Sequence, residues 1–214
     1  MIVEERITSF INSMNADDEG IIGLIEKEAI EQQVPIIRKE TKEWMKTMLY
    51  IKRPERVLEV GTAVGFSAIY MNQFLPEGAH ITTIEKWEPR IEKAKENFKR
   101  AGVEERITLL EGDASDILKK LEGSFDFIFM DAAKGQYIHF LPDVIRLLAK
   151  DGILISDNVL QDGEVLDSKY VVNRRNRTIH TRMREYLYTL KNHELLETSI
   201  IPLGDGVALS VKCK

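Results

Sequence analysis

Two short acidic motifs, Phe129-Met130-Asp131-Ala132-Ala133-Lys134-Gly135 and Ile155-Ser156-Asp157-Asn158-Val159, each close an apolar run that reads as a β-strand. If those strands belong to one parallel sheet, Asp131, Lys134, Asp157 and Asn158 gather at a single sheet edge, where open α/β folds bind ligands. Oxygen ligands beside an amine point to metal-assisted chemistry. Cys213 is the only cysteine, and His80, His139, His180 and His193 lack ligand spacing, so a metal here is a hard, oxygen-bound one.

The elements that must position these groups follow from hydrophobic period. From Val3 to about Ile51 apolar residues recur at helical spacing, as at Ile7, Phe10, Ile11 and Met14, with breaks at Asn15-Ala16-Asp17-Asp18 and Val34-Pro35. Short apolar runs then alternate with amphipathic segments: 57–60, 81–84, 107–110, 125–130 and 152–156. Strand, helix, strand repeated in this way predicts right-handed crossovers and a parallel sheet covered on both faces. Two further runs, 195–201 and 207–211, joined through Pro202-Leu203-Gly204-Asp205-Gly206, predict an antiparallel hairpin at the sheet edge. The expected fold is α/β, a doubly wound, mostly parallel seven-stranded sheet with an N-terminal helical cap. Residues 1–214 read as a single domain, 1–52 the cap and 53–214 the core.

The first strand runs into Glu59-Val60-Gly61-Thr62-Ala63-Val64-Gly65-Phe66-Ser67. Glycines here let the backbone turn tightly and approach a ligand. The spacing is Gly-x-x-x-Gly, without the Gly-x-Gly-x-x-Gly that admits a dinucleotide pyrophosphate. Glu59 just before the turn repels a pyrophosphate and suits a cationic group, which favours S-adenosylmethionine over NAD. Glu85, ending the second strand, is placed to accept hydrogen bonds from ribose hydroxyls. Gly112-Asp113-Ala114, after the third, can present Asp113 to an adenine amino group. The plainer reading of each is a turn glycine or a helix N-cap.

These motifs, with Met130-Asp131-Ala132-Ala133-Lys134-Gly135-Gln136-Tyr137, Ser156-Asp157-Asn158-Val159-Leu160 and the terminal Gly204-Asp205-Gly206, resemble the cation-dependent O-methyltransferases of catechol and caffeoyl-CoA type over essentially the whole chain. The resemblance implies a Rossmann-like methyltransferase and a divalent cation, usually Mg2+, held by Asp131, Asp157 and Asn158. It implies S-adenosylmethionine contacts from Ile37, Glu59, Gly61, Ser67, Glu85, Asp113, Ala114 and Asp131. No counterpart is seen of the plant enzymes' CoA-ester insertion. Within the family, the Asp-Ala-Ala-Lys-Gly-Gln-Tyr stretch, the short chain and an arginine-rich segment look most like the bacterial tRNA 5-hydroxyuridine methyltransferases.

Methyl transfer from a sulfonium to oxygen needs the acceptor deprotonated or nearly so. A bound Mg2+ lowers the pKa of a coordinated hydroxyl, and Lys134 is placed to take or stabilise the proton. The alternative is a solvated lysine at a helix start; Tyr137 and Trp87 read equally as pocket or packing residues. Three protein oxygens leave octahedral positions for two adjacent substrate oxygens, which both catechol and 5-hydroxyuridine supply.

The choice between acceptors rests on residues 173–184, which carry five arginines and no acid in a chain of net charge -5. A flipped-out anticodon wobble base in the pocket, with Arg174, Arg175 and Arg177 on the RNA backbone, unites the two features. The competing explanation is a solvated helix face. Lys39 and Lys42 on the cap are further candidates for the patch. A small catechol-type acceptor remains the alternative, and a non-catalytic nucleotide-binding module is opposed by the joint presence of Asp131, Lys134, Asp157 and Asn158. With no run near the roughly 20 apolar residues a membrane span needs, and neither a basic region nor an apolar signal core in Met1 to Arg6, a cytoplasmic protein is expected. The resemblance and the apolar cap helices lead us to expect a homodimer.

Overall fold

The computed structural model describes residues 3–214; Met1 and Ile2, part of the segment read above for a targeting signal, lie outside them. Seven strands form one sheet: β1 (Arg56–Val60), β2 (His80–Glu85), β3 (Ile107–Glu111), β4 (Phe125–Met130), β5 (Leu148–Ser156), β6 (Leu196–Ile201) and β7 (Val207–Lys212). Their spatial order is β3-β2-β1-β4-β5-β7-β6. The first five are parallel, and the order reverses between β1 and β4, whose ends open the crevice where such sheets bind ligands.

Among the described residues eight α-helices complete the fold: α1 (Glu5–Met14), α2 (Gly20–Glu31), α3 (Lys39–Lys52), α4 (Phe66–Asn72), α5 (Glu88–Ala101), α6 (Ala114–Lys120), α7 (Tyr137–Leu147) and α8 (Arg177–Asn192). The central strands are apolar at successive positions because both sheet faces are covered. Val57, Phe127, Phe129, Ile153 and Ile155 pack into one core with α2 to α5, and Leu58, Val60, Ile128, Met130 and Leu154 into a second core with α6 to α8. Alternate side chains of one strand thus serve opposite cores, as the pleat requires.

The helical cap is present as read, and one residue locks it. Lys42 is 1% exposed, with Nζ 2.5 Å from Asp18 Oδ2 and 2.8 Å from Glu26 Oε1. The same ammonium lies 5.4 and 5.2 Å from the Phe66 and Tyr70 ring centres. Burial opposes its charge, the Asp18 and Glu26 hydrogen bonds outweigh that, and the pKa ends above its ordinary value. Lys42 is therefore no part of a surface patch, and Lys39 is committed to Asp17 at 2.6 Å. By contrast α1 buries no residue and leaves Ile7, Phe10 and Met14 exposed.

The C-terminal hairpin lies at the sheet edge as expected, with its strands in an order the pattern left open. Its second strand, β7, pairs antiparallel with β5, and β6 takes the outer edge. This insertion carries the 202–206 turn toward the tip of β5, where the Val159 and Leu160 amides donate to the Gly206 and Asp205 carbonyls (2.9 and 3.0 Å). Among the described residues no helix is long and apolar enough to cross a membrane.

Candidate functional site

Two cavities adjoin at the C-terminal strand ends. One of about 570 Å³ is walled by Gly61, Glu85, Asp113, Asp131 and Asn158, and the other, of about 720 Å³, by Gln161, Glu164, Asn176, Arg182 and Asp205. Ala132, Ala133, Lys134 and Gln136 line both.

The first cavity is built around the β1 turn. Gly61 has φ +106°, and a Cβ there would strike the Asp131 carbonyl, so only glycine lets the tips of β1 and β4 close together. Glu85 accepts the amides of Lys86 (2.9 Å) and Trp87 (3.0 Å) on one oxygen and that of Ala63 (3.0 Å) on the other. Asp113 caps α6 by accepting the Ser115 amide at 2.9 Å and meets Lys86 Nζ at 3.1 Å, contacts that hold its pKa below the usual carboxylate range. The N-cap reading of Asp113 is thus correct and coexists with its place on the cavity wall beside Ala114. Trp87 stays 56% exposed on the rim, with the Arg90 guanidinium 5.2 Å from its ring centre.

Three residues expected near the cofactor, Ile37, Glu59 and Ser67, do not line this cavity. Ile37 turns into the core at 4% exposure, leaving Pro35 of the same loop on the wall. Glu59 lies fully buried beneath the turn, accepting the hydroxyls of Ser67 and Thr83, each at 2.5 Å. Burial pushes its pKa up to about 8; the two hydroxyls oppose the rise and the charges of Asp131 and Glu85 add to it.

The tips of β4 and β5 carry the acidic motifs. The Asp131 amide donates to the Val60 carbonyl and the Asp157 amide to the Met130 carbonyl, both at 3.0 Å, so the ladder runs one residue past each strand and sets Asp131 and Asp157 on neighbouring tips. Tyr137 fixes that juncture. It is fully buried, its hydroxyl lying 3.0 Å from the Met130 carbonyl and 3.1 Å from that of Asp157, so its role is to brace the strand ends. Asn158 adopts φ +56°, and its amide donates to Asp157 Oδ1 at 2.7 Å.

Both carboxyls are driven toward the neutral form. Burial and then the Asp131 charge push Asp157 up to about 7, against the Asn158 amide and Lys134. Burial also raises Asp131, against the charges of Lys134 and Arg90. Two desolvated carboxyls that resist joint ionisation, with an amide oxygen beside them, form an oxygen-only donor set that a hard cation relieves. No group of three or more His, Cys, Asp and Glu residues suited to a metal occurs among the described residues, so a cation held by Asp131 and Asp157 would need a donor of another type, such as the Asn158 amide.

Lys134 stands where the cavities meet, and Asp205 holds it there. Asp205 is 3% exposed; Oδ2 lies 3.6 Å from Lys134 Nζ, and Oδ1 accepts the Asp162 amide. The sequence pattern marks Asp205 only as a turn residue. Its partner lies far away along the chain, so the flanking Gly204 and Gly206, both at positive φ, are the one local signal.

The arginine-rich segment is divided in its duties. Arg177 Nε and Nη2 donate to the Val172 and Tyr170 carbonyls (3.2 and 3.1 Å), Arg182 to that of Gly135 (3.1 Å) and Arg184 to that of Val165 (2.7 Å). Arg177 is therefore corrected from a free phosphate ligand to a brace of the loop before α8, because unpaired carbonyls stand within its reach. Arg174 and Arg175 are exposed, and their guanidinium groups have no hydrogen-bond or ion-pair partner among the described residues.

A family model described as O-methyltransferase matches residues 12–213. Caffeoyl-CoA O-methyltransferase of Populus kitakamiensis is 31% identical over 174 residues, covering 78% of this chain and 73% of that protein. A catechol O-methyltransferase of Niastella koreensis is 33% identical over 128 residues, a match that spans 58% of this chain and only 58% of that relative. Among solved structures, the SAH-bound methyltransferase of Podospora anserina is similar with a TM-score of 0.86 and 26% identity, covering 98% of this chain and 94% of that one. The O-methyltransferase of Bacillus cereus in complex with SAH has a TM-score of 0.85 at 21% identity, covering 97% of each chain, a likeness of fold alone.

Proposed function

From the premise that this chain belongs to the O-methyltransferase family, we propose that it transfers the methyl group of S-adenosylmethionine to the 5-hydroxyl of 5-hydroxyuridine at the wobble position of a tRNA anticodon. The observation that carries the reading is the pair of adjoining cavities with Lys134 at their junction and free arginines in the turn ahead of α8.

The first cavity suits the cofactor: Glu85 presents carboxylate lone pairs to ribose hydroxyls, Asp113 and Ala114 lie where the adenine belongs, and Gly61 admits the backbone-close part of the ligand. Asp131, Asp157 and Asn158 would hold Mg2+, which when bound supplies the Lewis acidity that lowers an acceptor hydroxyl's pKa and orients its neighbouring oxygen. Lys134 Nζ stabilises or takes the proton leaving the acceptor oxygen, and Asp205 fixes the amine in position. The second cavity admits the base; Arg174 and Arg175 meet phosphate oxygens outside it. The exposed apolar side of α1 supports a homodimer, and the lack of a membrane-crossing helix among the described residues accords with action in the cytoplasm.

A small catechol acceptor is the second reading, favoured by the likeness to the Niastella koreensis enzyme. Mass spectrometry of tRNA from a strain lacking the gene, with the purified protein assayed on a 5-hydroxyuridine-bearing anticodon stem-loop and on catechol, separates them. We expect methoxyuridine to vanish in the strain and the stem-loop to be methylated in a chelator-sensitive manner. Unchanged methoxyuridine, with catechol alone turned over, overturns the tRNA reading. Asp157→Ala should abolish turnover while sparing most cofactor binding.

A further inference from the structure

The chain leaves the wall of the second cavity at Glu164 and rejoins it at Asn176, and Asn176 Nδ2 lies 3.2 Å from both Glu164 carboxylate oxygens, tying the two ends of the loop together. Between them the loop is held by its own polar groups. Val172 plugs into the protein at 5% exposure, Arg177 takes the Tyr170 and Val172 carbonyls, and His180 Nε2 meets the Asp167 carbonyl at 3.0 Å. A segment braced so thoroughly would be expected to turn its apolar side chains inward. Instead Leu166, Tyr170 and Val171 are 71%, 75% and 77% exposed. Lys169 Nζ stands 5.4 Å from the Tyr170 ring centre, and Arg174 and Arg175 follow without partners. Across residues 166–176 three positive charges, Lys169, Arg174 and Arg175, face one negative charge, Asp167.

An exposed aromatic ring on a rigid support, flanked by unpaired cations, is the combination that binds unpaired nucleic acid: bases stack on the ring and phosphates meet the cations. A duplex offers no free base faces, and no residue from 165 to 175 lines the second cavity, so a small acceptor held inside it makes no use of them. We propose that the 166–175 loop is a stacking platform for single-stranded RNA, with Tyr170 taking the nucleobase next to the one that enters the second cavity. Lys169, Arg174 and Arg175 hold the adjoining phosphates. This rests on the RNA acceptor reading and adds to it the residue that grips the neighbouring nucleotide. It also gives the bracing arginine a purpose, since Arg177 sets the backbone from which Tyr170 projects.

The test is fluorescence anisotropy with a labelled anticodon stem-loop carrying 5-hydroxyuridine, over a salt series, alongside methylation of the same RNA. Tyr170→Ala should weaken binding about 5- to 100-fold, the range for removal of a single base stack, with an unaltered salt slope and a normal thermal melt. Tyr170→Phe should restore binding to within about twofold, since the ring and not the hydroxyl stacks. Replacing Arg174 and Arg175 with Gln should instead flatten the salt slope by roughly 0.7 for each phosphate that is no longer neutralised. If wild type methylates the RNA and Tyr170→Ala binds it equally well, the platform is overturned and the acceptor reading stands. If wild type turns over catechol but neither binds nor methylates the RNA, both fall together. Tyr170-dependent capture of anionic phospholipid vesicles in place of RNA would overturn the platform in favour of a membrane contact.

Discussion

Glu59 is the group whose replacement tests the electrostatics of the site most directly. Its folded pKa of about 8 exceeds the ordinary 4.5, so between those values the folded protein keeps a proton that the unfolded chain has released. The stability this group contributes is therefore complete below its unfolded pKa and is lost as pH rises through its folded one. The whole gap, at about 1.4 kcal/mol per unit, is on the order of 5 kcal/mol, of which about 3 kcal/mol falls between about pH 6 and about pH 9. For a chain of this size that corresponds to roughly 6 to 12 °C in Tm. Glu59→Gln keeps the shape and removes the titration. With its nitrogen toward Thr83, the new amide donates to the Thr83 hydroxyl, which turns to Thr62 Oγ1, 2.6 Å away, while Ser67 still donates to the amide oxygen. Thermal melts of both proteins in chelator, followed by circular dichroism across that pH range, cancel the contributions of Asp131 and Asp157. Wild type should lose Tm with rising pH by several degrees more than the variant. Parallel curves would refute the buried, proton-holding carboxyl. Calorimetry with S-adenosylmethionine at neutral pH should show little change in affinity, since Glu59 is neutral there and lies beneath the cavity wall, and a large loss would mean that it binds as a carboxylate.

Lys42→Met should lower stability by about 3 kcal/mol, as expected when one partner of a buried ion pair is removed, and chemical denaturation reads it; a loss within experimental error would show that Asp18 and Glu26 are already solvated. Because the Lys42 pKa is raised, its contribution is full below the ordinary 10.5 and fades only at more alkaline pH, which Tm measured in strongly alkaline buffer reports. Gly61→Ala should abolish S-adenosylmethionine binding, because its Cβ meets the Asp131 carbonyl and forces β1 from β4; retained calorimetric affinity would contradict the close approach. Asp205→Asn should reduce kcat by about tenfold or more with little change in cofactor affinity, and an unchanged pH profile of kcat would remove Asp205 as the holder of Lys134.

The strands were legible because each central one is buried on both faces and so reads as an unbroken apolar run, as Phe127 to Met130 shows. Asp131 and Asp157 were legible as a pair because a parallel sheet puts every strand's C-terminal end on one side. The order of the last two strands was not, since apolar alternation in 207–211 fits an outer or an inner strand equally, and only pairing with β5 distinguishes them. Asp205 was invisible as a partner of Lys134 for the same reason: the contact exists only once β7 lies inside the sheet. Composition marked the arginine segment but could not say which guanidinium groups find carbonyls. Arg177, Arg182 and Arg184 do, and Arg174 and Arg175 do not. Tyr170 gave no periodic signal, because a braced loop displays its side chains by local turns and not by helix or strand repeat.

The inner position of β7 bears on how the molecule is made. Synthesis delivers β6 before β7, yet β6 has no neighbour to pair with until β7 has docked on β5. A nascent chain stopped short of Val207 would hold an open β5 border, a template for intermolecular pairing. Without β7 docked on β5, the Asp205 carboxylate that stations the amine would also be left unplaced. Ribosomal products interrupted late are thus expected to be inert and sticky at once, and cellular quality control would meet this protein chiefly in that unfinished form.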